Sequence, residues 1–351
     1  MNSNKTASGN NKLSYLTLAS VTAAISVIAI HTNGCFWTFS TDHYWFTANI
    51  LECLFYFAVP VFFMITGATL LDFYDKYSLS EYFMKRIKKT VIPLIAWTFI
   101  GIVYRILLAH NLLWADVTPK FVFDGLTRFN IVNLYWFFGP LFCAYLCIPL
   151  LAAVPKEKKN LVFGYVAAAS LVFNIAIPFI NNVFTLDIAC PLSLSVGSSY
   201  LIYILTGYLL SHNEINIKLR LLSYVLAIAG LLTHIIGTYK LSMEAGQING
   251  LYKGYVNIPC FFYSVGVFIA IRYISSYIKS ERFWKVVNFV GGYTFPMYLM
   301  QWFFIDLIPR YTHINTYSLY YRLGAPVPMA IVIILITFVL RKIPIVRKIV
   351  P

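Results

Sequence analysis

Four ionisable side chains lie in stretches of sequence that are otherwise apolar: His31, Glu52, Arg105 and Asp306. An imidazole can take a proton from a hydroxyl near neutral pH, so His31, in the segment AIHTNGCFW, is a candidate general base. Glu52 would orient or charge-stabilise that imidazole. Arg105 would bind an anionic group or stabilise developing oxyanion charge. A second kind of chemistry is suggested by FMKRIKK at residues 83–89, where Lys85, Arg86, Lys88 and Lys89 crowd together and suit a phosphate-bearing ligand or lipid headgroups. Each feature also has a plainer reading. His31 can be a hydrogen-bonded core histidine, Arg105 can pair with Glu52 as a structural ion pair, and the basic run can anchor a membrane topology.

The elements that must position these residues follow from composition. Hydrophobic residues make up 60% of the 351, aromatic residues 18% and charged residues 11%, with a mean hydropathy of +0.73. A soluble domain carries about 25% charged residues, so 27 basic and 13 acidic side chains cannot wet the outside of this one. The expected fold class is an all-α, polytopic membrane protein formed as one integral domain over residues 1–351. Apolar runs long enough for about 30 Å of hydrocarbon fall at roughly 13–31, 49–71, 90–110, 132–154, 161–181, 192–211, 219–238, 255–277, 289–309 and 325–345. With these ten helices and the N-terminus inside, only Lys120, Arg128, Lys240, Lys253, Arg310 and Arg322 of the basic residues lie outside, and Arg105 lies within a span. All the others, from Lys5 and Lys12 to Arg347 and Lys348, lie inside. Such a bias sets orientation with both termini cytoplasmic. The formal charge of +14 is therefore a topology signal and not a nucleic-acid patch. The polar start followed by an apolar run without a small-residue cleavage site reads as a retained first helix.

A charge within a span costs roughly 2.5–3.5 kcal/mol on insertion scales, so such residues are functional candidates by default. In this orientation His31, Glu52, Arg105 and Asp306 all fall in the outer half, and a polar cavity opening outward is the simplest account. The connection at 72–89 contains SLSEYFMKRIKK, which can form an amphipathic helix from Ser78 or Ser80 with Tyr82, Phe83 and Ile87 in the interface. Of the six cysteines, Cys143 and Cys147 share a helix face and read as small buried apolar residues. No disulfide framework and no metal-ligand pattern is implied. Pro60, Pro93, Pro140, Pro149 and Pro296 kink helices, and Gly67, Gly139, Gly291 and Gly292 allow close helix packing. Trp136 belongs to an aromatic belt or serves as a platform for a sugar ring.

Taken in order, several segments resemble the acyltransferase-3 family of integral membrane acyltransferases. VPVFFMITGATLLD at 59–72 looks like its second-helix signature, and FMKRIKKTVIPLIAW at 83–97 like the basic stretch and Pro-bearing helix that follow. NLYWFFGPLFCAYLCIPLL at 133–151 is similar to its Trp-containing helix, and GGYTFPMYLMQWF at 291–303 to its late helix. IHTNGCFW at 30–37 resembles the His-bearing end of the first helix. The resemblance implies a ten-helix protein that moves acetyl or other short acyl groups from cytoplasmic acyl-CoA to sugars of the cell envelope. His31 occupies the family's His position. An Arg usually precedes it by eleven residues, about 16 Å along one helix face, and that position here is Ser20. Where the late helix often has a second His, this chain has Gln301, which can hydrogen-bond an acceptor but cannot act as a base.

The resulting expectation is an O-acyltransferase, most simply an O-acetyl one, in a bacterial inner membrane, with a glycan or lipid-linked sugar as acceptor and membrane lipids around it. His31 and Glu52 would be catalytic, and Arg105, Trp136 and Gln301 would meet the acceptor. Arg86, Lys88 and Lys89 would hold the phosphates of coenzyme A, with Lys12 as a further inner-face cation and no metal. Two other functions fit the same features: a flippase or exporter of glycans or small solutes, and a membrane partner whose active residues have decayed. A polar lining running from the basic cluster to His31 would favour the enzyme. A wide cavity closed at both faces, without a coenzyme site, would favour transport.

Overall fold

The computed structural model describes the chain except residues 1, 2, 191 and 198, with side chains described from residue 14 onward apart from 191, 196 and 198. The side chains of Lys5 and Lys12 thus lie outside the described residues. The described residues are helical with no strand, as an apolar chain in lipid must be, because every backbone N–H and C=O has to be satisfied within its own segment.

Sixteen α-helices follow one another: α1 (Ser3–Thr32), α2 (His43–Phe55), α3 (Ala58–Leu70), α4 (Leu79–Arg86), α5 (Ile92–Leu107), α6 (Pro119–Arg128), α7 (Phe138–Ala152), α8 (Lys156–Ser170), α9 (Ile177–Phe184), α10 (Leu201–His212), α11 (Ile217–Ala245), α12 (Ile258–Tyr277), α13 (Glu281–Gly291), α14 (Thr294–Thr312), α15 (Leu319–Gly324) and α16 (Pro326–Leu340). Among the described residues, seven helical stretches are long and apolar enough to cross a membrane: 14–32, 43–75, 79–107, 133–152, 156–184, 217–245 and 258–277. The spans expected at 192–211 and 325–345 correspond to shorter apolar helices, α10 and α16. The one expected at 289–309 falls on α13 and α14.

The centre of the protein is α1, which packs against α2, α3, α12, α13, α14 and α16. Its buried Ala19, Ala23 and Ala24 keep its surface thin, which lets so many neighbours approach. The helix continues to His31 and Thr32 and then tightens into the 3-10 turn Gly34–Trp37. Helices α3 and α10 cross in close backbone contact. A Cβ at Gly67 would collide with the backbone of Ile204, and one at Gly207 with the backbone of Met64. In lipid, where helices gain little from the hydrophobic effect, such backbone contact is a main source of association. At one end of this pair Asp72 is bonded to Lys159 Nζ at 2.8 Å and to His212 Nε2 at 3.1 Å, which ties the ends of α3, α8 and α10 together.

Several expectations are altered in detail. The second span is interrupted at Tyr56 and Phe57, between α2 and α3. Residues 192–194 are not helical and Ser195–Gly197 form a single 3-10 turn, so the long helix begins only at α10. The helix at 79–86 starts after Ser78, not Ser80. The Ser78 side chain accepts from the Glu81 N–H while Glu81 reaches back to the Ser78 N–H, a reciprocal cap. Tyr82 does not lie in the interface. It is fully buried, stacks on Phe73 with ring centroids 4.4 Å apart, and donates its hydroxyl to the Tyr145 carbonyl at 3.0 Å. The hydroxyl finds a carbonyl inside, so the ring can be buried without cost. All six cysteines are free; Cys143 is exposed and Cys147 half-buried, so these two do not pack in the core.

Candidate active site

A cavity of about 390 Å³ runs beside α1 and reaches from Ser20 to His31. Eleven residues of helix separate these two, so the cavity is about 16 Å long on that wall. Opposite α1, α14 contributes Thr294, Phe295 and Tyr298, while α3 contributes Val59, Phe62, Ile65 and Thr66. Ser20 Oγ donates to Thr294 Oγ1 at 3.2 Å, and His31 pairs with Gln301. The two pairs occur in the same order along both helices, so α1 and α14 lie parallel and form the long sides of the cavity.

At one end stands His31. Its Nδ1 is 3.1 Å from Gln301 Oε1, and Gln301 is fully buried. The Gln301 amide nitrogen donates to the Tyr298 carbonyl one turn earlier, at 3.4 Å, which turns the amide oxygen toward the imidazole. That oxygen can only accept, so the hydrogen sits on Nδ1 and Nε2 carries the free lone pair. In the neutral imidazole the tautomer is thus set by this neighbour.

The other end is basic. After α4 the chain widens into a π-helical turn at Ile87–Val91, a feature often found at functional sites. Arg86 at the end of α4, and Lys89 and Thr90 from this turn, all line the cavity. The Arg86 guanidinium lies 5.6 Å from the Tyr82 ring centroid and 5.4 Å from that of Tyr145, with its Nε buried and without a hydrogen-bond partner. No carboxylate pairs with Arg86 or Lys89 among the described residues, so both charges are available to an anion. Lys88 is exposed and does not line the cavity.

Of the four ionisable residues in apolar stretches, only His31 reaches this cavity. The other three each find a partner elsewhere. Glu52 is 1% exposed and pairs with Lys253 at 3.0 Å, so neither His31 nor Arg105 has it as a bonded partner. Arg105 donates from Nε to Asn111 Oδ1 at 3.1 Å, because its side of α5 faces the following loop. Asp306 accepts from the Tyr104 hydroxyl at 2.7 Å and pairs with Arg310 one turn later on α14. Trp136 does line the cavity at its His31 end, and its indole stacks near Tyr255.

Other residues in and around the site were not signalled by the sequence. Thr66, Thr294, Tyr298 and Tyr255 give the cavity polar groups, but hydroxyl residues are frequent in membrane helices and carry no spacing signal. Lys253 belongs to a polar loop and looks solvated in sequence, yet its ammonium is buried with Glu52. Arg322, placed in an outer loop by its charge, is 2% exposed. It reaches Asn33 Oδ1, the Tyr44 carbonyl and Thr47 Oγ1, and its own carbonyl accepts from Thr32. It therefore braces the end of α1 that carries His31. Among the described residues no group of three or more His, Cys, Asp or Glu side chains is arranged to hold a metal.

A many-helix membrane protein with a cavity joining unpaired cations to a histidine within its apolar body is the framework of a membrane-embedded transferase. The chain belongs to the acyltransferase domain family, whose family model matches residues 13–340, and by that membership it is an acyltransferase. No curated protein and no solved structure matches the chain.

Proposed function

We propose that this protein is an O-acyltransferase of a bacterial inner membrane, with both termini cytoplasmic. It takes a short acyl group, most simply acetyl, from cytoplasmic acyl-CoA and passes it to a hydroxyl of a cell-envelope glycan or lipid-linked sugar. The single observation that carries this reading is the continuous cavity with Arg86 and Lys89 at one end and His31 at the other. The two cations suit the coenzyme phosphates, and the roughly 16 Å from Ser20 to His31 suits the extended arm that carries the thioester. The acceptor meets the imidazole at the far end, with Trp136 as an aromatic surface for a sugar ring. Thr90, Ser20, Thr294 and Thr66 add polar groups to the lining, and a single cavity shared by the cations and the histidine supports transfer over transport.

In this reaction the acceptor oxygen attacks the thioester carbonyl carbon while its proton passes to His31 Nε2. The carbon–sulfur bond then breaks, and the departing thiolate takes the proton to leave as the free thiol. Gln301 holds the imidazole in the tautomer this needs. Glu52 has no place in that proton path, because its carboxylate is engaged with Lys253. Arg105 and Lys88 stand outside the cavity and are left without a role in either substrate.

The test is acyl transfer from labelled acetyl-CoA to envelope glycans in membranes carrying wild type or His31→Ala. Label should enter the glycan fraction only with wild type. Equal incorporation in both would remove His31 from the chemistry. Single cysteines at Asp42, Lys120 and Asp187 test the topology: each should react with an impermeant thiol reagent from outside the cell, and access from the cytoplasm alone would invert it.

A further inference from the structure

Aromatic rings line the His31 end of the cavity, and they are held in different ways. Tyr255 lines the cavity beside His31 and Trp136. One face of its ring lies flat on Tyr56, with centroids 4.1 Å apart and an interplanar angle of 1°. The other side faces Trp136 at 5.6 Å and 23°. The backbone of Tyr255 is also fixed, since its carbonyl accepts from the Tyr203 hydroxyl. Two residues earlier, Lys253 drives its ammonium between the rings of Tyr56 at 4.1 Å and Trp37 at 4.6 Å, onto Glu52 at 3.0 Å. Both charged side chains are at least nine-tenths buried, at 5% and 1% exposure.

Trp136 is held differently. Its neighbours are braced to α14, where the Tyr135 hydroxyl donates to the Leu299 carbonyl and the Tyr298 hydroxyl to the Leu134 carbonyl. Trp136 is 37% exposed, and among the described residues its indole N–H has no hydrogen-bond partner. Rotation of this one side chain would separate Trp136 from Tyr255 without breaking the backbone contacts of its neighbours. The apolar face of a sugar ring stacks on an aromatic ring much as a second aromatic ring does, and can take its place against Tyr255.

We infer that Trp136 and Tyr255 form the entrance by which the acceptor reaches His31, with Trp136 as the moving leaf and Tyr255 as the fixed one, and that the Glu52–Lys253 ion pair is the latch that keeps Tyr255 in place. This assigns Glu52 a positioning role through the loop at 246–257. It rests on the reading that the His31 end receives the acceptor. The latch is durable because separating its partners would leave a buried carboxylate uncompensated.

The test needs neither donor nor acceptor, so it can fail while acyl transfer by His31 stands, and the reverse. The six native cysteines are replaced by alanine and Val27, one turn from His31 on the cavity wall, is made cysteine. Its modification by a charged, membrane-impermeant methanethiosulfonate is timed in vesicles that expose the His31 end. The parent should react slowly. Trp136→Ala and Lys253→Met should each raise the rate by about ten-fold or more, as expected for a local opening. The double exchange Glu52→Lys with Lys253→Glu should return it to within about three-fold of the parent, since the pair is re-formed with reversed sign. A second set with cysteine at Ile148, fully buried outside the cavity, should stay unreactive throughout. Unchanged rates in Trp136→Ala and Lys253→Met would overturn the entrance. Reactivity appearing at Ile148 as well would show general loosening and overturn the latch.

Discussion

His31 Nδ1 and Gln301 Oε1 stand 3.1 Å apart across the α1–α14 interface, and this contact sets how the imidazole can act. An amide oxygen accepts but cannot donate, so it leaves Nε2 as the basic nitrogen in the neutral ring. A glutamine at this position therefore orients the base without adding a second titrating group beside it.

Removing either partner should have a different cost. His31→Ala deletes the base, and acyl transfer should fall by about 10²–10⁴-fold, the usual contribution of general-base catalysis. Gln301→Leu keeps the base but leaves its Nδ1–H without an acceptor. Transfer should fall by about ten-fold, as for the loss of one hydrogen bond of about 1–1.5 kcal/mol. Initial rates at saturating acetyl-CoA in purified membranes measure both. A Gln301→Leu rate equal to wild type would show that the imidazole needs no such support.

The basic end predicts a contrast among neighbours. Arg86 and Lys89 face the cavity while Lys88 points away from it. Arg86→Ala and Lys89→Ala should each raise the apparent KM for acyl-CoA by roughly ten-fold or more, since a charged hydrogen bond contributes about 1.5–3 kcal/mol. Lys88→Ala should leave it within about two-fold, as for an exposed charge. Arg86→Lys should behave more like alanine, because lysine lacks the planar fork that lies over Tyr82 and Tyr145. A KM equally raised in all three alanine variants would point to general surface charge and not to a defined phosphate site.

How much of this was legible in the sequence differs by element. The membrane class follows from composition alone, and the His31 and Arg86–Lys89 ends of the cavity were both marked by residue type against an apolar background. The pairing of charges was not legible. Glu52 and Lys253 are 201 positions apart in sequence and meet only because α2 packs on α11, whose following loop carries Lys253. Spacing along one helix cannot report such a contact. The same holds for Arg322, whose partners lie near position 33 and in α2. Tyr82 misled for a related reason: amphipathic periodicity shows which residues share a face, and not what that face meets. In α4 it meets Phe73 and the Tyr145 carbonyl, not lipid headgroups.

The α3–α10 crossing gives a prediction about stability. Gly67 and Gly207 each face the other helix's backbone with no room for a methyl group, whereas a Cβ at Gly164 in α8 would meet nothing within 4 Å. Gly67→Ala and Gly207→Ala should each destabilise by about 1–3 kcal/mol, the common cost of overpacking. Gly164→Ala should be neutral or stabilising by up to about 1 kcal/mol, because the helix loses a flexible residue. Thermal unfolding of the detergent-solubilised protein separates the cases. Midpoints for Gly67→Ala and Gly164→Ala that coincide would mean the two helices can part at little cost.

The last prediction concerns Ser20, which lies on the cavity wall about 16 Å from His31. Its hydroxyl donates to Thr294 Oγ1, which in turn donates to the Gly291 carbonyl. This short chain closes the space between α1 and α14 without supplying any charge. An arginine here would extend into a cavity that already presents Arg86 and Lys89 to an anion. Ser20→Arg should therefore lower the apparent KM for acyl-CoA, by about three- to ten-fold for roughly 1 kcal/mol of added charge pairing. It should leave the maximal rate nearly unchanged, since His31 and Gln301 are three turns away. Ser20→Ala should keep KM within about two-fold, because a hydroxyl bonded to a neighbouring threonine has little left to offer a phosphate. If instead Ser20→Arg raises KM while the protein remains folded by its thermal midpoint, the donor occupies this stretch of cavity with an uncharged group. The coenzyme phosphates would then be confined to the Arg86 end.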